Sequence, residues 1–564
     1  MFADKFGIVG YGRFLVVIAG FGGLLYGIDI GIIAAALLYL SKTVNLTVAQ
    51  TSILVAAVLG GSMVSSLIAG LLADWFGRRK MMIVSSLMFV ASVALIVLSQ
   101  GFATLFAGRL LQGMSGGVIA VVIPLYLAEC LGPNNRGRGT AIFQWMLTFG
   151  IVIASLAGLF YTRSAEAAIS AAAGNPALIR AAQDHAWRGM FLAMIYPGLI
   201  FFAGTLLLVE TPRWLFRKGR PEEALASLRR LSPPAEADLQ LREMEAIAHE
   251  DAHAHSRSAG DSLLQKKYVI PFVLACIVLA CNQATGINSI LAFLVIILKQ
   301  AGMSAAHATQ GDTVVKVIHC LMTFIAVVLV DRKGRKFLLK IGTGGIVLSL
   351  LTGGILFHTF ESQRVDVRGN AQAAIAGDTL RLPLDTNLGP AVAGRTMALT
   401  VLYTYGSGDK VATALDSDPS SVLTIVPEGK DVGAPLTIRR ASYGPVAGET
   451  TGWLIALVLG VFVSFFSVGP GVVVWLMLSE LMPTRIRSTG MGIALLLNQG
   501  VSTVIAAVFL PVVGNFGFYA IFFFWAACTT VYFITAAFFL PETKGKTLEE
   551  IEEFFDTSRA RSAV

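Results

Sequence analysis

The hydrophobic pattern along the chain consists of twelve long apolar runs separated by polar segments. Each run is about 20 residues or longer, the length that an α-helix needs to cross the hydrocarbon core of a bilayer. The runs cover residues 14–37, 51–73, 81–99, 103–129, 139–161, 189–209, 268–298, 312–330, 337–358, 451–480, 489–512 and 518–540. The pattern predicts an all-α membrane protein with twelve transmembrane helices in two sets of six.

The polar stretch between the two sets, residues 211–267, has a helical pattern. Glu222 and Glu223 open a segment in which Leu225 and Leu228 are spaced by about one helical turn. We therefore expect a helical linker between the sets.

A second polar segment, at about 359–450, separates the ninth and tenth runs. It contains β-branched or alternating stretches bounded by Gly, Asp and Pro, at 397–405, 422–426 and 435–440. These stretches favour a small, strand-rich insert, and a flexible loop is the alternative. The predicted organisation is a first six-helix bundle at 1–210, the linker at 211–267, a second bundle at 268–540 that contains the insert, and a tail at 541–564.

Composition supports a membrane protein. Hydrophobic residues make up 55% of the chain and charged residues 14%, with a mean hydropathy of +0.72, which is too apolar for a soluble globular protein. The net charge of +8 comes from basic residues that cluster between apolar runs, so we expect no nucleic-acid partner. The five cysteines lie in or beside apolar runs and indicate packing residues without a disulfide framework.

Basic residues also predict the orientation. They fall on alternate loops, at Arg78–Lys80, at Arg136 and Arg138, at Arg332–Lys336, and at Arg485 and Arg487. Short loops rich in Lys and Arg stay in the cytoplasm. We therefore expect both termini and the linker in the cytoplasm and the insert outside, in the plasma membrane, or in the inner membrane of a bacterium.

The first apolar run contains a carboxylate, Asp29. An acid within a membrane helix is costly unless it faces the bundle interior, is paired or takes up a proton, so it indicates a transport pathway or proton relay. Gly23, Gly27 and Gly31 recur at four-residue spacing and leave one helix face open to a neighbouring helix or a ligand. The alternative is a packing helix with an inert, hydrogen-bonded Asp.

The two sets of six runs carry matching motifs. Asp74 to Lys80 after the second run matches Asp331 to Lys336 after the eighth, Glu129 with Arg136 matches Glu480 with Arg485, and Glu210-Thr-Pro matches Pro541-Glu-Thr. Three matches at corresponding positions indicate parallel six-helix repeats, which place a binding site between them and allow rocking about it.

These motifs put acids beside guanidinium groups at the predicted cytoplasmic helix ends. The residues are Asp74, Arg78, Glu129, Arg136, Glu210, Asp331, Arg335, Glu480, Arg485 and Arg487. We expect salt bridges that hold the inner side shut and break when it opens. The alternative, solvated anchors that follow the positive-inside rule, explains the basic residues but not the acids beside them.

Taken together, the motifs resemble those of the sugar porter family of the major facilitator superfamily. The matching pieces are Gly70 to Arg79, Gly108-Arg109 to Gly113, Pro124 to Glu129 with Arg136-Gly137, Glu210 to Leu215, Gln283 to Asn288, Asp331 to Lys336, Trp475 with Ser479-Glu480, and Pro541 to Glu549. The resemblance covers nearly the whole chain except the insert, and it implies a transporter fold.

The resemblance implies that Asp29 and Arg109 are the acid and arginine of proton-linked sugar porters. An opposite charge within reach keeps the acid ionised, and separation from Arg109 in an apolar site favours the protonated form. Protonation removes the buried charge, so the loaded carrier can change state. A static ion pair is the alternative.

The resemblance also implies a sugar site. Amides donate and accept hydrogen bonds and aromatic faces cover the C–H surface of a sugar ring. Gln144, Gln283, Asn288 and Trp475 match the sugar contacts of the family, and Tyr26 can add an aromatic wall.

Six positions depart from the family pattern, among them Ala292-Phe293, which replaces an aromatic pair after Asn288. Asn282 replaces a glutamine, Asn498-Gln499 stands where a tryptophan is expected, and His319 replaces an asparagine. Lys316 lies one turn before His319, so a sugar acid becomes a credible substrate. We interpret Lys316 as snorkelling to the outer interface and His319 as either a ligand or a titrating group.

The predicted function is proton-coupled monosaccharide symport by alternating access. Alternatives are a passive sugar facilitator, a symporter of a sugar acid, polyol or other hydroxylated organic acid, and a sugar-sensing receptor. We find no metal-ligand cluster or nucleophile–base constellation in the sequence, so we expect no enzyme activity, no metal and no cofactor. The expected partners are a sugar, a proton and the lipid bilayer, and the expected state is a monomer.

Overall fold

The computed structural model confirms a twelve-span helical architecture. It describes residues 8–131, 133–254, 266–384, 388–389, 395–415, 422–482, 487–543 and 555. Within those residues, 12 helical segments are long and apolar enough to cross a membrane, and each corresponds to a predicted run.

The first six spans are built from seven helices. These are α1 Ile8–Thr43, α2 Val48–Phe76, α3 Arg78–Val97, α4 Phe102–Cys130, α5 Pro133–Ala171, α6 Pro176–Leu192 and α7 Ile195–Leu207. The last two form one span that begins earlier than predicted. It begins there because Asn175 caps its first turn, accepting main-chain N–H groups, and Pro176 is suited to the first helical position.

Three linker helices and eight further helices follow, together with one short helix in the insert. They are α8 Pro212–Arg217, α9 Pro221–Leu231, α10 Pro234–Ala254, α11 Lys266–Ala284, α12 Ile287–Gln300, α13 Ala305–Lys333, α14 Arg335–Glu361, α15 Arg368–Ala373, α16 Glu449–Phe466, α17 Val472–Leu481, α18 Arg487–Phe516 and α19 Phe518–Ile534. The described part of the linker, up to residue 254, is helical, as predicted.

Two of the later spans are interrupted within their length, and the twelfth ends in a π-helical segment, Thr535–Phe539. The seventh breaks between α11 and α12 at Gly286, whose φ of +83° favours glycine. The tenth contains a π-helical segment, Ser467–Gly471, with Pro470 inside it. Irregular backbone at membrane depth is tolerated where protein buries it or where it lines a cavity. These breaks therefore point to the interior of the bundle as the place for a site.

The insert is a small β-structure between α14 and α16. Its strands are β1 Val365–Asp366, β2 Ile375–Ala376, β3 Thr379–Pro383, β4 Met397–Tyr405, β5 Gly408–Leu415, β6 Val422–Ile425 and β7 Thr437–Pro445. One sheet has the order β1-β7-β4-β5 and the other β2-β3-β6, with antiparallel pairing throughout. The prediction located β4, β6 and part of β7. It missed β1, β2, β3 and β5. The Asp and Lys of β5 weaken its strand pattern, and pairing with β4 supplies what the local sequence lacks.

The insert contacts both sets of spans at one end of the bundle, which we call the insert end. The Asn45 side chain donates to Glu428 at 3.3 Å, and Arg440 donates to the carbonyl of Asn515 at 3.0 Å. A cleft of about 910 Å³ lies beneath the insert, lined in part by Leu37 and Tyr403. The opposite end carries Arg78 and the linker, and we call it the basic end.

In the part of the chain that the structure describes, the two sets meet mainly through three pairs of helices. Helix α1 contacts α12, α2 contacts α18, and α5 contacts α13. Because α1 touches both its own set and the other, residues on α1 lie at the boundary between them.

We predict that the insert depends on its own apolar core. Leu399 in β4 is fully buried, whereas Val411 in β5 is 49% exposed. Leu399→Ala should destabilise the insert by about 2–5 kcal/mol, because it removes buried methyl groups and leaves a cavity. Limited proteolysis of the purified protein should then cut within the insert. Val411→Ala is the matched control, and equal protease resistance in all three proteins would contradict the prediction.

Candidate functional site

A buried ion pair lies between α1 and α4. Asp29 is 1% exposed and Arg109 2% exposed, and the Arg109 Nη1 atom donates to Asp29 Oδ1 at 3.1 Å. The same Nη1 donates to the Gln112 side chain at 2.7 Å, and the guanidinium lies 5.7 Å from the ring centre of Phe191. A guanidinium keeps its charge, so the member of the pair that can change its protonation is the carboxylate.

The glycines of α1 place Asp29 on the face toward α4. A Cβ atom on Gly27 would lie 1.8 Å from the carbonyl oxygen of Leu147, and Gly23 and Gly31 are similarly close to α5. These glycines therefore seat α1 directly on the backbone of α5. Because two residues turn a helix by about 200°, the Asp29 side chain points away from the contact between Gly27 and α5.

One oxygen of Asp29 is open. Oδ2 has no hydrogen-bond partner among the described residues. It lies near Gly116, where an added Cβ would be 3.7 Å from Oδ2 and 2.9 Å from the ring of Tyr26. Tyr26 in turn lies beside Ser62 of α2 and Gln499 of α18. An acid with one paired and one open oxygen can accept a proton without first losing its arginine.

Four polar side chains form a network at the break in the seventh span. Asn288 donates to Gln283 at 2.9 Å and to Ser502 at 2.8 Å, and Gln283 donates to Asn498 at 3.2 Å. The turn at Gly286 lets Gln283 and Asn288 face each other across five residues. The amides predicted from the sequence are thus brought together by α11, α12 and α18.

The remaining predicted substrate contacts are Asn282, His319, Gln144 and Trp475, which lie on helices α11, α13, α5 and α17. Among the described residues, Asn282 Oδ1 and His319 Nδ1 are buried without hydrogen-bond partners. Gln144 is half-buried on α5, one turn before Thr148, which contacts Cys320 of α13 at 3.7 Å. Trp475 lies in α17, and its side chain is outside the described residues.

The interpretation of Lys316 as a snorkelling residue was wrong. Its side chain is fully buried and donates to Asp312 at 2.8 Å and to the carbonyl oxygen of Gly31 at 3.0 Å. Sequence reasoning missed Asp312 because it opens a predicted apolar run. The four-residue spacing of acid and lysine on one helix face could have revealed the pair.

An acidic and basic network occupies the basic end of the first set. Arg78 bonds Asp74 at 2.7 Å and Glu129 at 2.9 Å, and Arg217 of α8 bonds Glu129 at 3.2 Å. Glu210 accepts the main-chain N–H of Arg78 at 2.9 Å. Burial raises the pKa of Glu210, although bonds from main-chain N–H groups and the nearby Arg78 oppose that rise.

The second set repeats this arrangement. Arg335 bonds Glu480 at 3.2 Å, and Glu542 accepts the main-chain N–H groups of Arg335 at 3.0 Å and Lys336 at 3.1 Å. Each of these pairs joins elements of one set, so their part in closing the basic end stays a prediction. The side chains of Arg136, Asp331 and Arg487, and the whole of Arg485, lie outside the described residues.

Comparison with known proteins agrees with this fold and these motifs. The family model "Sugar (and other) transporter" matches residues 15–377 and 440–555. The chain is 27% identical to the glucose transporter GlcP of Staphylococcus epidermidis, covering 96% of both proteins. It is 26% identical to the arabinose-proton symporter of Bacillus subtilis, covering 95% of this chain and 93% of that one.

The fold has close structural counterparts. The inward open conformation of the xylose transporter XylE from E. coli superimposes with a TM-score of 0.66 at 20% identity, covering 96% of this chain and 98% of that one. The fold and family are those of multi-pass membrane transporters. This chain belongs to the sugar porter family of the major facilitator superfamily.

We predict that the seat of α1 on α5 is intolerant of a side chain. Gly27→Ala places a Cβ against the Leu147 carbonyl, so the helices must separate, at a cost of about 1–3 kcal/mol. The melting temperature of the purified protein in detergent should fall. Gly12→Ala is the matched control, because Gly12 lies in the same helix with nothing within 4 Å of the added atom. Equal melting temperatures for both variants would contradict the prediction.

Proposed function

We propose that the protein is a proton-coupled symporter of a monosaccharide that works by alternating access. The observation that carries this proposal is the buried Asp29–Arg109 pair with one carboxylate oxygen left open. Family membership supports sugar transport, and the pair supplies the residue that proton coupling requires.

Asp29 acts as the coupling group in this proposal. While Arg109 is in contact, the acid is ionised and the pair is neutral as a whole. Any rearrangement that separates the two leaves an uncompensated buried charge, which is strongly unfavourable. Protonation at Oδ2 removes that penalty, so the carrier changes state with its proton bound. Each proton that moves inward gains about 2.3 kcal/mol per 100 mV of membrane potential.

The substrate site is formed by the polar groups between the two sets. The amides of Gln283, Asn288 and Asn498 already bond to one another, so a sugar hydroxyl replaces partners of the same kind. Asn282 Oδ1 and His319 Nδ1 offer unused acceptor or donor atoms within the described residues. Such a site suits a neutral polyhydroxy ligand.

A neutral sugar fits this site better than a sugar acid. The only cation that suggested an anionic ligand, among the substrate positions considered, was Lys316, and its charge is already compensated by Asp312 at 2.8 Å. Relatives named for glucose and arabinose support a monosaccharide. A polyol stays an alternative, since another relative is a human proton myo-inositol cotransporter, and a passive facilitator is the alternative to coupling.

The proposed orientation has the basic end in the cytoplasm and the insert outside, in the plasma membrane, as the distribution of Lys and Arg predicts. Three hydrogen bonds between the sets lie toward the insert end: Lys316 to Gly31, Thr313 to Ser155, and Leu510 to Ser52. We therefore assign the structure to a state in which the two sets are in contact at the insert end and closed on the outside.

The test is sugar uptake by proteoliposomes with an imposed pH gradient, acid outside. Wild-type protein should accumulate a monosaccharide above its external concentration. Asp29→Asn should abolish accumulation and retain exchange of labelled for unlabelled sugar, because the amide keeps the shape and cannot take up a proton. Accumulation by Asp29→Asn equal to that of the wild type would refute the coupling role.

Asp184→Asn is the matched control for this experiment. Asp184 pairs with Arg188 on α6 at 2.7 Å and is 39% exposed, so it lies outside the boundary between the sets. This variant should accumulate sugar as the wild type does. A panel of neutral sugars, polyols and sugar acids in the same assay identifies the substrate class.

A further inference from the structure

A second buried ion pair lies on α13, apart from the proposed coupling pair. Asp312 and Lys316 are both fully buried and bond at 2.8 Å one turn apart on the same helix. An ion pair buried in this way is a weak source of stability, because desolvation of both charges offsets their attraction. Stabilisation of α13 alone therefore does not explain why the pair is present.

Lys316 reaches across the boundary between the two sets. Its ammonium donates to the carbonyl oxygen of Gly31 at 3.0 Å, and Gly31 lies two residues beyond Asp29 on α1. This main-chain oxygen belongs to the first set, whereas Lys316 belongs to the second. An ammonium has three donor hydrogens, so Asp312 and Gly31 can be bound together.

The position of Gly31 makes this bond effective. On its other side, an added Cβ at Gly31 would lie 2.8 Å from Ala154 of α5. At Gly31, two residues after Asp29, helix α1 is therefore held between the backbone of α5 and the ammonium of Lys316. Bonds with a charged donor are stronger than those between neutral groups, and the neighbouring bond from Thr313 to Ser155 is neutral and longer, at 3.4 Å.

We propose that Lys316 is a positioning residue that ties the second set to α1 at Gly31 and so holds the insert end closed behind Asp29. Asp312 holds the ammonium in position for this bond. The insert end opens only when the bond to Gly31 breaks, and Lys316 then stays with Asp312 on the second set. This inference rests on the alternating access of the proposed function.

The test measures opening at the insert end directly. A single cysteine replaces Ala34, which is fully buried and lies on α1 between Gly31 and the insert end. The five native cysteines are replaced by alanine or serine. The rate of reaction with a membrane-impermeant maleimide added from the insert side of proteoliposomes then reports how often this end opens.

Three changes at the pair separate its possible roles. Asp312→Lys with Lys316→Asp keeps an ion pair on α13 but moves the ammonium one turn away from Gly31. Asp312→Asn with Lys316→Met removes both charges together, so no unpaired charge is left buried. Lys316→Arg keeps a charged donor at the same position. Thr313→Val is the matched control, since it removes the weaker bond between the sets one residue away.

We expect labelling to be roughly ten times faster, or more, in the exchanged pair and in the uncharged pair, since a lost charge-assisted bond shifts the open population by about that factor. Lys316→Arg should restore slow labelling, and Thr313→Val should stay within about twofold of the parent. Melting temperature, measured alongside, reports folding.

An exchanged pair that labels as slowly as the parent would show that the pair is only structural, and so would a lower melting temperature with unchanged labelling. Failure of the proposed function is distinguishable from this. A parent protein that accumulates no sugar and still shows the expected labelling pattern contradicts symport but supports the tie. Normal accumulation by the parent with no change in labelling in either pair variant contradicts the tie alone.

Discussion

The structure depends on how charge is kept neutral inside an apolar bundle. Two buried acids, Asp29 and Asp312, each lie against a cation, and neither pair is exposed to solvent by more than a few per cent. In a low-dielectric interior such pairs must either stay together or change protonation. A carrier built in this way can link movement of its helices to movement of a proton, because separating a pair and leaving it ionised is so unfavourable.

The two pairs differ in what they connect. Asp29 and Arg109 join α1 and α4 within the first set, whereas Lys316 reaches from α13 to the backbone of α1 in the other set. The glycine face of α1 makes both possible, since it brings α1 against α5 and fixes the direction of the acid. One helix thus carries the acid of the proposed coupling pair, the glycine contact with α5 and the acceptor for Lys316.

Much of this architecture could be predicted from the sequence, because the twelve apolar runs and the repeated Asp/Glu–Arg motifs are local signals. Gln283 and Asn288 were predicted as sugar contacts from a family motif, whereas Asn498 was noted as a departure from the family pattern. Their mutual hydrogen bonds depend on the left-handed turn at Gly286, which no hydrophobic pattern encodes. Lys316 was misinterpreted for a related reason, since the acceptor at Gly31 is 285 residues away, and only the packed bundle brings the two together.

The family model leaves a gap between residues 377 and 440, which falls in the β-structured insert. Both ends of the insert continue into helices of the second set, and among the described residues an exposed hydrogen bond from Asn45 to Glu428 connects the insert to the first set. In the proposed alternating access, the insert moves with the second set, because the chain joins it to that set at both ends. A pair of dyes, one at Asn45 and one on the insert, would therefore report the conformational change from the protein surface. Neither dye would lie in the substrate pathway.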